Sequence, residues 1–122
     1  MTTHTDLIDR YFDAWNETDG AKRRALIAAA WSADGIYVDP LLAGDGHDGI
    51  DAMISAVHAR FPGHQFRRTT QVDGFANRIR FSWELTTPDG QPVVKGSDFG
   101  VVDDSGRLQA VTGFLDAPPA GG

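Results

Sequence analysis

Asp98 stands in the middle of a run that reads as a β-strand, with Val93-Val94-Lys95-Gly96-Ser97 before it and Phe99-Gly100-Val101-Val102 after it. A carboxylate in such a place faces a core or a cavity, and a core charge must find a partner or take up a proton. Two further residues could share that cavity. Tyr11 lies on the apolar face of the first predicted helix, and Asp39 ends a short strand before Pro40. Two carboxyls and a phenol in one apolar cavity are the parts needed to move protons or to donate hydrogen bonds to a developing oxyanion. Each residue also has a plainer reading. Asp98 could pair with an arginine or lysine across the sheet, Asp39 could cap the turn that follows it, and Tyr11 could be a core tyrosine with its tip near water.

The elements that must position these residues follow from periodicity. Leu7, Ile8, Tyr11, Phe12 and Trp15 recur at helical spacing, with Thr3 or Thr5 as a cap. Leu26, Ile27, Ala30 and Trp31 mark a second helix, closed by Asp34-Gly35. Ile36 to Asp39 is a short strand that Pro40 stops. A glycine-rich loop, 43–49, leads to a third helix with Ile50, Met53, Ile54, Val57 and Phe61 on its stripe and Asp48 as its cap. Strands are predicted over 65–72, 78–86, 91–102 and 107–115, with turn chemistry at Asp73-Gly74, Pro88-Asp89-Gly90 and Asp103-Asp104-Ser105-Gly106. Helices first and an antiparallel meander afterwards predict an α+β fold with a sheet curled around the helices.

Alternation puts Ile79, Phe81, Trp83 and Leu85 on one sheet face. Val94, Gly96, Asp98, Gly100 and Val102 share a face on the next strand, lined by small residues as if space were left there. Phe99 and Val101 point the other way, and so do Leu108, Ala110 and Phe114 on the last strand. A sheet apolar on both faces predicts that the outer one is covered, most simply by a second copy of the chain.

The 122 residues suit one domain over 1–122, with a core of about 7–116 and a flexible tail at 117–122. The net charge of -6 disfavours nucleic acid and anionic membranes as partners. No cysteine is present, which excludes disulfides and thiolate metal sites. The first residues hold no apolar signal region, so a cytoplasmic location is the expectation. Asp45, His47 and Asp48 read as turn and cap residues rather than metal ligands, and no nucleotide loop or nucleophile elbow is present. No metal and no cofactor are expected.

Four motifs carry a family resemblance: Tyr11-Phe12-Asp13-Ala14-Trp15-Asn16, Ile36-Tyr37-Val38-Asp39-Pro40, Gly49-Ile50-Asp51-Ala52-Met53-Ile54 and Gly96-Ser97-Asp98-Phe99. With the order of elements, they resemble the SnoaL-like branch of the NTF2-like superfamily, a cone-shaped α+β fold, from about Leu7 to Asp116. Ketosteroid isomerases of that superfamily combine an aspartate base with an oxyanion hole made of a tyrosine and a protonated aspartic acid. By that resemblance Asp39 is the base, Asp98 the acid donor and Tyr11 the tyrosine. The related polyketide cyclases imply a single acid/base residue in an apolar pocket, a role that Asp98 fits. The implied cone would take its pocket from Trp15, Trp31, Tyr37, Ile54, Val57, His58, Phe81, Trp83, Val111 and Leu115.

These readings converge on a small cofactor-free enzyme for an apolar carbonyl compound, working by proton transfer that leads to isomerisation or aldol-type cyclisation. A non-catalytic binding module of the same fold is the rival. Epoxide hydrolysis is a weaker one, because it resembles an Asp-Arg-Asp arrangement for which no arginine is well placed.

Overall fold

The computed structural model describes residues 4–116. The tail expected at 117–122 and the possible cap Thr3 lie outside the described residues. In chain order the elements are α1 (His4–Asn16), α2 (Gly20–Ala30), β1 (Trp31–Val38), β2 (Ala43–Asp45) and α3 (Gly46–Arg60). They continue with β3 (Gln65–Arg68), β4 (Asp73–Phe75), β5 (Arg78–Thr86), β6 (Pro92–Val102) and β7 (Leu108–Leu115). One sheet of seven strands runs β2-β1-β7-β6-β5-β3, with β4 also paired to β5. All pairs are antiparallel except β1 with β7, so the sheet is mixed and mostly antiparallel. Three helices cover one face, and the fold is α+β, as expected.

The core joins the apolar stripe of α1 to the inner faces of β5, β6 and β7 through Leu7, Ile8, Tyr11, Phe12, Ile79, Phe81, Val102, Leu108 and Val111. A pair of hydrogen bonds fixes the end of α1. Asn16 Nδ2 donates to the Phe66 carbonyl at 3.0 Å, and the Phe66 N–H donates to Asn16 Oδ1 at 2.8 Å. Behind α1, His58 Nε2–H donates to the Trp15 carbonyl at 2.6 Å, which ties α3 to the last turn of α1. Arg23 is buried between an ion pair to Asp51 at 2.7 Å and the Glu17 carbonyl at 3.0 Å.

Several elements differ from the sequence reading. The second helix ends at Ala30, and Trp31 already has extended backbone. Residues 31–35 join β1 through an irregularity in its pairing with β7, because Trp31 is drawn into the core and Ser32 bonds the Leu108 carbonyl. Gly35 therefore does not cap a helix. The first residue of α3 is Gly46, and Asp48 lies in its first turn, paired to Arg24 at 2.7 Å instead of capping. Asp73-Gly74 is strand rather than turn, and the chain reverses at Ala76, which carries the positive φ of 51°. The expected strand 65–72 stops at Arg68, and residues 43–45 of the expected glycine-rich loop form β2. Alternation along the last strand predicts Leu108 on the outer face. A bulge in the β6–β7 pairing turns it inward, where it is fully buried. Phe99 and Phe114 do face outward, 45% and 56% exposed, with rings 5.5 Å apart.

Candidate active site

Asp98 lies on the inner face of β6 between Phe81 of β5 and Gly113 of β7. It is 2% exposed. Tyr11 reaches down from α1 and donates its hydroxyl to Asp98 Oδ2 at 2.5 Å. The Trp83 indole N–H donates to Asp98 Oδ1 at 2.9 Å. Trp83 pairs directly with Gly96 and reaches Asp98 on the diagonal, a contact open to a long side chain. This arrangement corrects the reading of the small residues on β6. A Cβ at Gly96 would stand 2.6 Å from Trp83 Cζ2, and one at Gly100 would stand 3.0 Å from Ile79 Cγ1. Those glycines make room for neighbouring side chains rather than for a ligand.

Gly113 brings the second carboxyl near the first. A Cβ there would meet Tyr37 Oη at 2.8 Å, Asp98 Oδ1 at 3.0 Å and Asp39 Cβ at 3.1 Å. The missing side chain thus lets three functional residues converge over β7. Tyr37 donates its hydroxyl to Asp39 Oδ2 at 2.7 Å. The Leu41 and Leu42 N–H groups both donate to Asp39 Oδ1 at 2.8 Å. Asp39 therefore caps the turn behind Pro40, and it also lines the cavity.

The cavity encloses about 440 Å³, within the range of small-molecule sites. Its depth holds Tyr11, Tyr37, Trp15, Trp83 and Asp98, and its walls are largely apolar. Of the residues assigned to the pocket from sequence, Trp15, Tyr37, Val57, Trp83 and Leu115 line it. Trp31, Ile54, His58, Phe81 and Val111 do not. Trp31 and Phe81 pack against the Tyr11 ring with centroids 5.0 and 5.5 Å away, so they hold the phenol in place from behind. Ile54 and Val111 are core, and His58 is occupied with the Trp15 carbonyl. The sequence reading missed Leu41, Leu42, Phe66, Leu85, Val94 and Arg60 as lining residues. Their alternation marked Leu85 and Val94 as inward-facing, whereas Leu41, Leu42 and Arg60 come from a loop and a helix end that carry no periodic signal.

The electrostatics follow from burial. Desolvation pushes the Asp98 carboxyl up to about 6, helped by the charge of Asp39 and opposed by the donors Tyr11 and Trp83. Burial and the nearby carboxylates push both Tyr11 and Tyr37 upward, so each phenol stays protonated at neutral pH. No arginine forms an ion pair with Asp39 or Asp98 among the described residues. The cross-sheet ion pair considered for Asp98 is absent, and an Asp-Arg-Asp arrangement has no support. Among the described residues, no cluster of His, Asp and Glu has the geometry to hold a metal, and no helix is long and apolar enough to cross a membrane.

The raised Asp98 value makes a stability prediction. Between about pH 4 and pH 6 the folded chain holds a proton there that the unfolded chain has released. The stability tied to this site is complete below pH 4 and drains away as the pH rises through 6, by roughly 3 kcal/mol in all. Urea unfolding of wild type and Asp98→Asn at pH 4.5 and pH 8 should show the variant gaining about 2 kcal/mol on wild type at the higher pH, the part of that stability still present at pH 4.5. A gain at the lower pH instead would reject a carboxyl that burial keeps neutral.

Three helices on a mixed, mostly antiparallel sheet, with a carboxyl deep in an apolar cavity, define an α+β protein of NTF2-like fold. Within that class the chain belongs to the SnoaL-like domain family, whose match spans residues 8–111. It is 44% identical to an Agrobacterium tumefaciens protein provisionally named an isomerase of the SnoaL-like family. That match covers 96% of this chain and all of the other, with a TM-score of 0.90. A protein from Sinorhizobium meliloti provisionally named a polyketide cyclase shares the fold at 15% identity, 88% and 93% coverage and a TM-score of 0.69. An NTF2-like protein from an Exiguobacterium species does so at 19% identity, 92% and 99% coverage and a TM-score of 0.73. Among curated proteins, none matches the sequence.

Proposed function

We propose that the protein catalyses proton transfer on an apolar carbonyl compound, with Asp98 as the group that takes and returns the proton. The observation that carries this reading is a carboxyl deep in an apolar cavity, gripped by two donors and no cation, and ionising near pH 6. A general base works best when its pKa lies near the operating pH. At neutral pH Asp98 is a carboxylate with a lone pair free on each oxygen beyond the two bonds it accepts. It can remove a proton from the carbon next to a carbonyl. Once Asp98 carries the proton, Tyr11 is released from donating to it and can turn its hydroxyl to the enolate oxygen, and Tyr37 can do the same by leaving Asp39. The proton then returns to a different carbon, or the enolate carbon attacks a second carbonyl and Asp98 delivers the proton to the alkoxide that forms. Asp39 is the less suitable base, since three donors already hold its oxygens. The provisional isomerase and cyclase relatives are consistent with either outcome.

The test is hydrogen–deuterium exchange at the α-carbon of enolisable aryl ketones and polycyclic enones, followed by NMR. Exchange should accelerate as the pH rises through about 6 and then level off. A rate without that inflection assigns the proton to another group. The apolar walls favour one rival, a site that binds without turnover. Tight binding with no exchange of any ketone would select it.

We also propose a homodimer through the outer sheet face, where Ile36, Val38, Phe99 and Phe114 are exposed together. Sedimentation velocity at micromolar concentration should give a dimer, and Phe114→Asp should shift it to monomer. A wild-type monomer refutes this.

A further inference from the structure

Arg60 is the one cation among the residues lining the cavity. It ends α3 and is solvent-exposed, whereas Tyr11, Trp83 and Asp98 are buried, so it stands at the rim and they stand at depth. Among the described residues no carboxylate lies within ion-pair distance of it. Its guanidinium instead stacks over the Phe61 ring, 5.9 Å from the centroid, which holds the cation beside another lining residue. The arginines that do form ion pairs, 23, 24, 67, 68 and 80, lie outside the cavity wall.

Charge gives the position its meaning. The chain carries a net -6, and both other charged lining residues are acidic, Asp39 and Asp98. Of the charged residues lining the cavity, only Arg60 attracts an anionic ligand. A planar guanidinium matches a carboxylate with two parallel N–H bonds, which a lysine would not do. We infer that Arg60 selects substrates carrying a carboxylate at the end of an apolar body remote from the reacting carbonyl, binding the carboxylate at the rim while the carbonyl reaches Asp98. This inference names the substrate class for the proton-transfer reading above and rests on it.

The probes are 6-acetyl-2-naphthoate, which carries an enolisable ketone and a carboxylate at opposite ends, and its methyl ester, which differs only in lacking the charge. Binding is read by quenching of tryptophan fluorescence, Trp15 and Trp83 being in the cavity wall. At pH 8 and low salt, wild type should bind the acid about five- to tenfold tighter than the ester, the scale of one well-placed but partly exposed ion pair. The preference should shrink at high salt. Arg60→Gln should abolish it, and Arg60→Lys should keep only part of it. Equal affinity of wild type for acid and ester, or a preference that survives Arg60→Gln, overturns the inference. Deuterium exchange at the acetyl group of both compounds reports the underlying reading separately. Exchange without a preference for the acid overturns only the role of Arg60, and preference without exchange overturns only proton transfer by Asp98. Failure of both probes to bind at millimolar concentration overturns both.

Discussion

Asp98→Asn should lower the rate of α-proton exchange by about 10²- to 10⁴-fold, the contribution of a positioned general base, and should leave the fold intact. The variant keeps the shape of the side chain and its place between Phe81 and Gly113. It also keeps one carbonyl oxygen for the Trp83 indole, and the Tyr11 hydroxyl can rotate to accept from the new amide. What it loses is the capacity to hold a proton. The carboxyl is expensive when ionised here, so the variant should gain stability relative to wild type as the pH rises through 6, as argued for the linkage above. The pairing of that gain with lost activity is the signature of a group retained for chemistry rather than for folding. The ester of 6-acetyl-2-naphthoate is a suitable substrate for the measurement, because its rate does not depend on a charge at the rim. Asp39→Asn provides the contrast. Its loss should fall mainly on the turn at 40–42, whose N–H groups it accepts, and therefore on stability. If Asp39→Asn stops exchange and Asp98→Asn does not, the base is Asp39, as the isomerase resemblance implied.

The sequence showed the chemistry more readily than the support for it. Asp98 was visible because a charge inside a Val- and Phe-rich strand contradicts its surroundings, and Tyr11 because it shares a helical stripe with Leu7, Ile8 and Trp15. Asp39 was visible through the proline that follows it. The Trp83 bond to Asp98 was hidden because it needs the register of β5 against β6, which alternation alone does not supply. Alternation did place Trp83 on the inner face, and the glycine opposite it was the missing signal, misread as open space. Trp31 was misplaced because its spacing from Ile27 is helical, whereas its burial under Tyr11 forces it into the first strand. Gly113 carried no signal at all. Its meaning arises from the parallel pairing of β1 with β7, which sets Asp39 and Tyr37 beside Asp98 and joins residues far apart in the chain.

The Gly96 contact leads to the second large effect, Gly96→Ala. A methyl there would lie 2.5 Å from the Phe114 carbonyl oxygen and 2.6 Å from Trp83 Cζ2. The carbonyl belongs to the backbone of β7 and cannot swing aside, so either the strands part or the indole leaves. Overpacking of this kind costs about 1–3 kcal/mol, and here the upper end applies because backbone is involved. For a domain of this length the melting temperature should fall by roughly 10 °C. The effect on the site is separate from the effect on stability. If the indole yields, Asp98 loses a donor that favours its charged form, while Tyr11 and the desolvation remain. The pH inflection of exchange should then move above its wild-type position near 6. Trp83→Phe removes the same donor without adding a methyl, so it should reproduce the upward shift with a smaller loss of stability. An inflection that stays in place in both variants would mean that the indole packs beside Asp98 without tuning it, leaving burial and Tyr11 to set its proton affinity.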